Sequence, residues 1–281
     1  MSTDVSADVQ RRVVLRHPLS LRVQHALNAA AILLLLMSGL GIFNAHPALY
    51  LGQDSRPARE VLRIGAADDG LGGLSGHVSL LGHRWDTRGW VGTSADAQGE
   101  ITARAFPAWS TLPAANGLSR SREWHFFAAW LLVFNGVTYL VLSIVNRHLR
   151  RDLWPDVQDW RGLGASLLDH LRFRHPRGEQ ALRYNILQKV AYLVVILGLV
   201  PGLVVTGLAM SPALNAVWPG WVELLGGRQS ARTLHFVFAF SLAMFVLVHL
   251  IQVLVSGSPL NYVRSIVTGR FVIPPERHED T

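Results

Sequence analysis

Four apolar blocks constrain this chain more than any other feature of its sequence. They cover residues 23–44, 123–146, 187–210 and 232–255, and almost every charge within them lies in the first or last turn. About 20 residues, rising roughly 1.5 Å each, cross the hydrocarbon core of a bilayer. A soluble helix would show polar residues every third or fourth position along an outward face, and none of these blocks does. The sequence therefore predicts an all-α membrane protein, built as a bundle of four transmembrane helices.

The composition agrees with a membrane protein and removes several kinds of redox site. Half of the residues are hydrophobic and only 16% are charged, which is little for the surface of a soluble domain. The chain has no cysteine. Disulfides, iron–sulfur clusters and haem attached through a Cys-x-x-Cys-His motif are therefore excluded, and any redox cofactor must be held by other side chains.

The distribution of arginine predicts how the helices are oriented. The net charge of +7 would also suit a nucleic-acid-binding protein, but the charge is not spread evenly. Eight arginines lie in the loop 147–186, whereas the loop between the third and fourth blocks contains only Arg228. This positive-inside bias places the 147–186 loop and both termini in the cytoplasm and the 46–122 loop in the periplasm. It leaves no reason to expect nucleic acid as a partner.

The two long loops differ in character. The periplasmic loop 46–122 is rich in Gly, Asp, Ser and Thr and has short β-prone stretches such as His77–Leu81, so we expect an irregular cap that could include a hairpin. The cytoplasmic loop has leucines at helical spacing among arginines, from Leu163 to Leu171, which predicts a helix lying in the membrane interface. Neither loop indicates a separate domain, and residues 1–281 are expected to form one.

Four of the twelve histidines lie inside the predicted spans, and these are His25, His125, His235 and His249. Ionisable groups in a bilayer are costly, so each is a candidate for function. With the N-terminus in the cytoplasm, His25 and His249 lie near the cytoplasmic ends of helices one and four. His125 and His235 lie near the outer ends of helices two and four. Imidazole nitrogen is a good ligand for iron, so the sequence predicts two noncovalent haem b groups, each bound by one pair.

The spacing of the histidines on helix four supports this prediction. His235 and His249 are 14 residues apart. That spacing is about 21 Å of rise and within about 40° of four full turns, so both side chains face the interior of the bundle. Glycines on helices one and three would let backbones approach each other or a flat cofactor, and these are Gly39, Gly41, Gly198, Gly202 and Gly207.

Other interpretations of the histidines remain open. A single histidine near a membrane boundary is more often an interfacial residue than a ligand, and four at two matched depths are what favour haem. His46 and His148 are rival ligands, but Pro47 follows the first and arginines follow the second, so we interpret both as interfacial. The alternative function is a transporter or proton channel in which the histidines form a relay without haem. A purely structural anchor is a third.

Three arginines at the ends of the spans are candidates for binding haem propionates. Propionates are anionic and need cationic or hydrogen-bonding neighbours at the membrane edge. Arg228 and Arg232 are placed for the outer haem, and Arg22 is placed for the inner haem. Ordinary flanking arginines explain the same positions equally well.

A polar cluster opens the third span, which supplies no candidate haem ligand. Tyr184, Asn185 and Gln188 precede Lys189, which is the only lysine of the chain. Such a cluster at the cytoplasmic entrance of the membrane predicts a quinone site, formed by Tyr184, Gln188 and Lys189. A lysine that extends its amine to the interface explains the position of Lys189 almost as well.

Several stretches of the sequence resemble one known family. They are RHPLSLRVQHALNA and MSGLGIFNAHPALYLG at helix one, REWHFFAAWLLVFNG at helix two, RYNILQKVAYLVV and TGLAMSP at helix three, and GGRQSARTLHF and FVLVH at helix four. The family is that of the bacterial di-haem cytochromes b, which comprises cytochrome b561 and the b-type membrane subunits of nickel–iron hydrogenases. The resemblance covers nearly the whole chain. One departure is Ala26, where an aromatic residue commonly follows the first ligand.

The resemblance implies a fold, ligands and partners. Its pattern of ligands on helices one, two and four matches His25, His125, His235 and His249. It implies a bacterial inner-membrane protein that transfers electrons between a periplasmic redox enzyme and membrane quinone, with no substrate chemistry of its own beyond that of quinone. The branch that it resembles most accompanies periplasmic molybdopterin oxidoreductases related to sulfite oxidase, which favours such an enzyme over a hydrogenase as the partner.

Overall fold

A computed structural model describes residues 12–70, 72–87, 89–96, 98–115, 117–172 and 184–273. Part of the arginine-rich loop, residues 173–183, and the two ends of the chain lie outside the described residues. The chain divides into two compact units. Unit 1 comprises Met1–Ala26, Thr138–Ile196 and Met244–Thr281, and unit 2 comprises Leu27–Val137 and Leu197–Ala243.

The described chain is mostly helical. Its α-helices are α1 Leu19–Asn44, α2 Leu118–Val145, α3 Val157–Arg161, α4 Leu163–Leu171, α5 Ile186–Leu193, α6 Val200–Ala209, α7 Pro212–Val217, α8 Gly220–Leu224, α9 Arg228–Val255 and α10 Pro259–Thr268. Its strands are β1 Val13–Leu15, β2 Ala48–Tyr50, β3 Glu60–Asp68, β4 Leu74–Leu80, β5 His83–Asp86, β6 Gly92–Ala95, β7 Ile101–Arg104 and β8 Arg270–Val272.

The four predicted spans are confirmed as candidate membrane-spanning helices. Within the described residues, α1, α2, the stretch Ile186–Ala209 and α9 are each long and apolar enough to cross a membrane. Their outward side chains are apolar, as helices in lipid require, and Phe134 and Leu254 are 66% and 70% exposed. The helices begin one to five residues earlier than the apolar blocks, because polar turns such as that at Ser119 continue the helix beyond the hydrophobic stretch.

The third span contains a local irregularity. A π-helical segment, Val194–Leu199, joins α5 to α6. Pro201 follows it in the first turn of α6. Proline has no N–H to donate and its ring crowds the preceding turn, and a widened turn relieves both problems. The position of the π-helical segment is therefore explained by Pro201.

The loop between the first two spans contains a four-stranded sheet and a two-stranded ribbon, so it is more regular than the expected cap, and the hairpin that was left open is present as β4 and β5. Strands β2, β3, β4 and β5 form an antiparallel sheet in that order, and β6 and β7 form a separate antiparallel ribbon. Leu81 and Gly82 join β4 to β5, and both have positive φ, 50° and 83°. Two such residues form the turn whose twist matches a tight hairpin.

Strand β2 of unit 2 is attached to the first turns of α9. The carbonyl of Ala48 accepts a hydrogen bond from Arg232 at 3.0 Å, and that of Tyr50 accepts one from the Thr233 hydroxyl at 2.6 Å. The carbonyl of Gly52 accepts from the backbone N–H of Gln229 at 2.9 Å. All three residues of β2 are buried. The sheet is therefore fixed to α9 by bonds to main-chain carbonyls.

Two further contacts hold the loop to the end of α1. Asn44 accepts from the backbone N–H of Phe106 at 2.8 Å and donates to its carbonyl at 3.1 Å. Next to this pair lies a hydrophobic cluster that joins α1, the sheet and α9. Its buried members are Phe43, Leu49, Ile64 and Ala105, and Phe236 packs against them. The cluster closes this end of unit 2 with apolar side chains.

In unit 1, the two ends of the described chain form one small assembly. Strand β1 pairs with β8, and the ring of Phe271 is completely buried. The guanidinium of Arg16 lies 4.5 Å from the centre of that ring. Arg22 donates to the carbonyl of Val267 in α10. The start of α1 is therefore held against the segment that follows α9.

Asn44→Ala should destabilise the protein. The substitution leaves the N–H and the carbonyl of Phe106 without their partners, and we expect the free energy of unfolding to fall by about 1–3 kcal/mol. Thermal unfolding of the purified protein in detergent measures the change. Asn215→Ala is the control, since the Asn215 side chain makes no hydrogen bond to any described residue. Equal losses in the two variants would contradict the role given to Asn44.

Candidate haem sites

The structure brings His125 and His235 together in unit 2. His125 is on α2 and His235 is on α9, and their ring centres are 6.2 Å apart with an angle of 62° between the ring planes. The two rings meet because each side chain lies on the face of its helix that is turned toward the other helix. The sequence-based pairing of these two residues matches their placement.

His25 and His249 form a second pair, which lies in unit 1. His25 is on α1 and His249 is on α9, with ring centres 6.4 Å apart and an angle of 53° between the planes. The ring of Phe245, one turn earlier on α9, stacks on His249 at 6.1 Å and 15°. Tyr192 of α5 lies edge-on to Phe245 at 6.4 Å. Aromatic side chains therefore line one side of this pair.

The separation within each pair fits a six-coordinate haem iron. Two imidazoles that bind one metal from opposite sides, at nitrogen–metal distances of about 2.0–2.1 Å and with a ring radius of about 1.2 Å, would have centres roughly 6.4–6.6 Å apart. The observed separations are 6.2 Å and 6.4 Å. Among the described residues, no group of three or more His, Cys, Asp or Glu side chains is placed to bind a metal ion by itself. The residues present therefore suit haem iron better than a bare ion.

Two buried hydroxyls lie behind the unit 2 pair, and the sequence analysis missed them. Nδ1 of His125 is 3.1 Å from Oγ of Ser38 on α1. Nδ1 of His235 is 3.0 Å from Oγ1 of Thr206 on α6. Ser38 is 0% exposed and Thr206 is 1% exposed. The third span supplies no histidine, but it supplies this contact.

A glycine follows each of these hydroxyl residues and lies against the same histidine. A Cβ atom at Gly39 would lie 3.6 Å from Cε1 of His125, and one at Gly207 would lie 3.3 Å from Cε1 of His235. The second distance is tighter than most contacts of this kind. These two glycines were predicted to admit a backbone or a flat cofactor, and in the structure each admits an imidazole ring. A Ser-Gly or Thr-Gly pair inside an apolar block is the sequence signal that would have revealed Ser38 and Thr206.

The arginines proposed to bind propionates already have protein partners. Arg232 donates to the carbonyls of Ala48 and His46, at 3.0 Å and 2.6 Å. Arg228 donates to the carbonyl of Met210 at 3.2 Å. Both therefore tie α9 to neighbouring segments. Arg22 keeps a buried Nε with no hydrogen-bond partner among the described residues and lies one turn before His25, so the prediction for the inner haem stands on this atom.

The rival histidines lie elsewhere. His46 stacks on Tyr50, with ring centres 5.7 Å apart, and its pKa is lowered by burial and by the nearby Arg232 and Arg63. Nδ1 of His148 is 2.6 Å from a carboxylate oxygen of Asp152. In the described residues neither ring lies against another histidine. Their placement agrees with the interfacial interpretation.

The predicted quinone cluster borders a cavity of about 1010 Å³ in unit 1. Tyr184, Asn185 and Lys189 line it, but Gln188 does not. Gln188 instead accepts from the backbone N–H of Asn185 and donates its own backbone N–H to the Asn185 side chain, which closes the first turn of α5. Burial raises the pKa of Tyr184, so its hydroxyl keeps its proton at neutral pH.

Lys189 is paired with a carboxylate from the arginine-rich loop. Its Nζ lies 2.6 Å from Oδ2 of Asp159 on α3, and the two side chains are 13% and 19% exposed. Burial alone would raise the pKa of Asp159, but the hydrogen bond from Lys189 and the backbone N–H near Asp156 outweigh it, and the pKa is lowered. The Asp159 side chain is therefore held as a carboxylate, and both side chains line the cavity.

Comparison with known proteins agrees with this geometry. The family model described as prokaryotic cytochrome b561 matches residues 16–269. A protein of Azospira oryzae named as protein-methionine-sulfoxide reductase subunit YedZ1 is 35% identical over 136 residues. That alignment covers 48% of this chain and 66% of the relative, so the chain spans slightly less than two thirds of the relative's length. No solved structure matches the chain.

Single substitutions should remove the two haems separately. If each histidine pair holds one haem, His125→Ala and His25→Ala should each leave about half of the haem, which a pyridine haemochrome assay measures. His46→Ala and His148→Ala are the matched controls and should retain haem close to the native content. Loss of one haem from His46→Ala would show that the ligand on the His235 side has been chosen wrongly.

Proposed function

The chain belongs to the prokaryotic cytochrome b561 family, and from this we propose that it binds two haem b groups and transfers electrons across the membrane between quinone and a periplasmic enzyme. Membership makes it a multi-pass, haem-binding electron-transport protein. The observation that carries the number of haems is the presence of two histidine pairs, each with the ring separation of a bis-imidazole iron site.

The proposed roles of the two pairs follow from the predicted orientation. The arginine-rich 147–186 loop favours the cytoplasm, which puts the sheet-containing loop in the periplasm of a bacterial inner membrane. His125 and His235 then hold the haem nearer the periplasm, and His25 and His249 hold the haem nearer the cytoplasm. Haem iron held by two imidazoles supplies one-electron oxidation and reduction without releasing a ligand. Electrons can pass in either direction along this route.

The periplasmic partner is proposed from the relative and the family branch. The name of the Azospira relative assigns it to an enzyme that reduces methionine sulfoxide in proteins. A molybdopterin oxidoreductase therefore suits this chain better than a hydrogenase. In this proposal the chain supplies the haems and a surface for the partner enzyme to bind, and the partner carries out the substrate chemistry.

Quinone is the proposed exchange partner on the cytoplasmic side. The cavity beside α5 lies in the same unit as the His25–His249 pair. It presents a neutral phenol from Tyr184 and an ammonium from Lys189, which are donors that suit quinone carbonyl oxygens. Negative charge develops on those oxygens during reduction, and a nearby cation stabilises it. Asp159 lies 2.6 Å from that cation and balances its charge.

Family membership favours haem over a histidine relay. In a relay, the histidines would exchange protons with neighbouring polar groups along a path. Nδ1 of His125 and of His235 instead lies against a hydroxyl within hydrogen-bonding distance of its own helix. Such a contact fixes a ring rather than passing its proton on.

The purified protein should contain two noncovalent haems per chain. We expect a b-type reduced-minus-oxidised spectrum and about two protohaems per polypeptide, because two pairs are present and the sequence has no cysteine for attachment. Acid–acetone extraction should release all of the haem. A folded protein with no haem would contradict this expectation and favour the alternative function, a transporter or proton channel with a histidine relay.

Lys189→Ala should slow electron exchange with quinone while both haems remain bound. Losing a charge-assisted hydrogen bond of roughly 1.5–3 kcal/mol predicts a decrease of about tenfold or more in the rate at which added quinone oxidises the reduced haems. Stopped-flow spectroscopy measures that rate.

Asp159→Asn is the matched variant for Lys189→Ala. It breaks the same ion pair but leaves the ammonium, so it should oxidise close to the native rate. Equal slowing by the two substitutions would mean that the pair only holds the cytoplasmic loop, and an unchanged rate in Lys189→Ala would remove Lys189 from the quinone site.

A further inference from the structure

The hydroxyl of Ser38 has three polar neighbours, and they determine where its proton lies. The most distant of them is the carbonyl oxygen of Leu35, at 3.3 Å. Oγ is 2.6 Å from the carbonyl oxygen of Leu34 and 3.1 Å from Nδ1 of His125. A carbonyl oxygen can only accept, so the shorter contact requires the hydroxyl to donate to Leu34. The lone pairs of Oγ then face the imidazole. Nδ1 of His125 must carry the proton and donate it to Ser38.

Thr206 repeats this arrangement on the other side of the pair. Its Oγ1 is 2.6 Å from the carbonyl oxygen of Gly202 and 3.0 Å from Nδ1 of His235. The hydroxyl donates to Gly202, and Nδ1 of His235 donates to the hydroxyl. Both hydroxyls are fully buried, so no solvent water replaces either contact. Helices α1 and α6 thus each supply a hydroxyl that accepts a hydrogen bond from one histidine of the pair.

Fixing the proton on Nδ1 leaves the lone pair on Nε2. In a neutral imidazole one nitrogen carries the proton and the other is free to bind a metal, and the hydrogen bond of the first decides which is which. Both rings of this pair are therefore held with Nε2 as the free nitrogen. Gly39 and Gly207 admit the rings to this position.

The other pair lacks this support. Among the described residues, the imidazoles of His25 and His249 make no hydrogen bond, and His249 is instead stacked on Phe245. The two sites are therefore built differently around the same ligand type. This difference in hydrogen bonding changes the basicity of the histidine ligands, which is one of the factors that set the reduction potential of a haem.

We propose that Ser38 and Thr206 are positioning residues for the haem held by His125 and His235, and that their hydroxyls lower the reduction potential of that haem alone. The proposal rests on the ligand assignment of the proposed function. An imidazole that donates from Nδ1 to an oxygen is a more basic ligand at Nε2, and a more basic ligand stabilises the oxidised iron. The same hydrogen bonds hold both rings in the orientation that the iron requires.

The test removes the hydroxyls while keeping the shape of the site. Thr206→Val is isosteric, and Ser38→Ala is the smallest change available at that position. Thr206→Ser and Ser38→Thr keep a hydroxyl and serve as rescue variants. Ser241→Ala, on α9 and without a hydrogen bond to any described residue, is the control for losing a hydroxyl within a span.

The readouts are a redox titration that resolves the two haems and the rate at which apomyoglobin extracts each haem. In Thr206→Val and Ser38→Ala, one midpoint potential should rise and the other should stay unchanged. Apomyoglobin should extract the affected haem about 10–100-fold faster, which is the usual size of the effect when a metal ligand loses its hydrogen-bond partner. The rescue variants and Ser241→Ala should match the native protein.

Three outcomes would overturn the proposal. They are unchanged potentials in both hydroxyl-deleted variants, equal shifts of both haems, and rescue variants that behave like the deletions. If Ser38→Ala fails to accumulate in membranes, the isosteric Thr206→Val decides. His125→Ala separates this proposal from the ligand assignment, because loss of one haem there alongside unchanged potentials in Thr206→Val contradicts only the role of the hydroxyls.

Discussion

An imidazole placed among hydrocarbon chains has no water to bond with, and the unit 2 site is organised around that constraint. His125 and His235 each direct Nδ1 to a hydroxyl that in turn bonds to a carbonyl of its own helix. The second ring nitrogen, Nε2, is thereby left free to bind a metal. The third span, which has no histidine of its own in this site, takes part through Thr206. All the spans of unit 2 therefore contribute to one pair of rings.

The loop between the first two spans supports the same site. Its strand β2 lies on the first turns of α9, where Arg232 and Thr233 bond to its carbonyls. Those residues precede His235 by three and two positions. The loop therefore fixes the segment of α9 that carries His235, which accounts for its ordered sheet. Arginine at position 232 has a structural role here whatever else it binds.

The spans and the histidine pairs could be predicted from sequence because both depend on local patterns, namely apolar length and depth along a helix. The sheet could not, since its β4–β5 turn uses Leu81 instead of the usual Asn or Gly and its attachment to α9 links residues about 180 positions apart. Ser38 was missed because a serine in a span has no pattern by itself. Asp159 was missed because it meets Lys189 across 30 positions.

The hydrophobic cluster of Phe43, Leu49 and Ile64 has a consequence for the speed of electron exchange. It packs on Phe236, the residue that follows His235, and so surrounds this part of α9 with apolar side chains. Polar solvent must reorient whenever a nearby charge changes, whereas hydroxyls and carbonyls already fixed in place need not. A cofactor surrounded by apolar side chains and fixed polar groups has a small reorganisation energy for electron transfer. Its exchange rate is then governed mainly by distance and driving force, and only weakly by the surrounding medium.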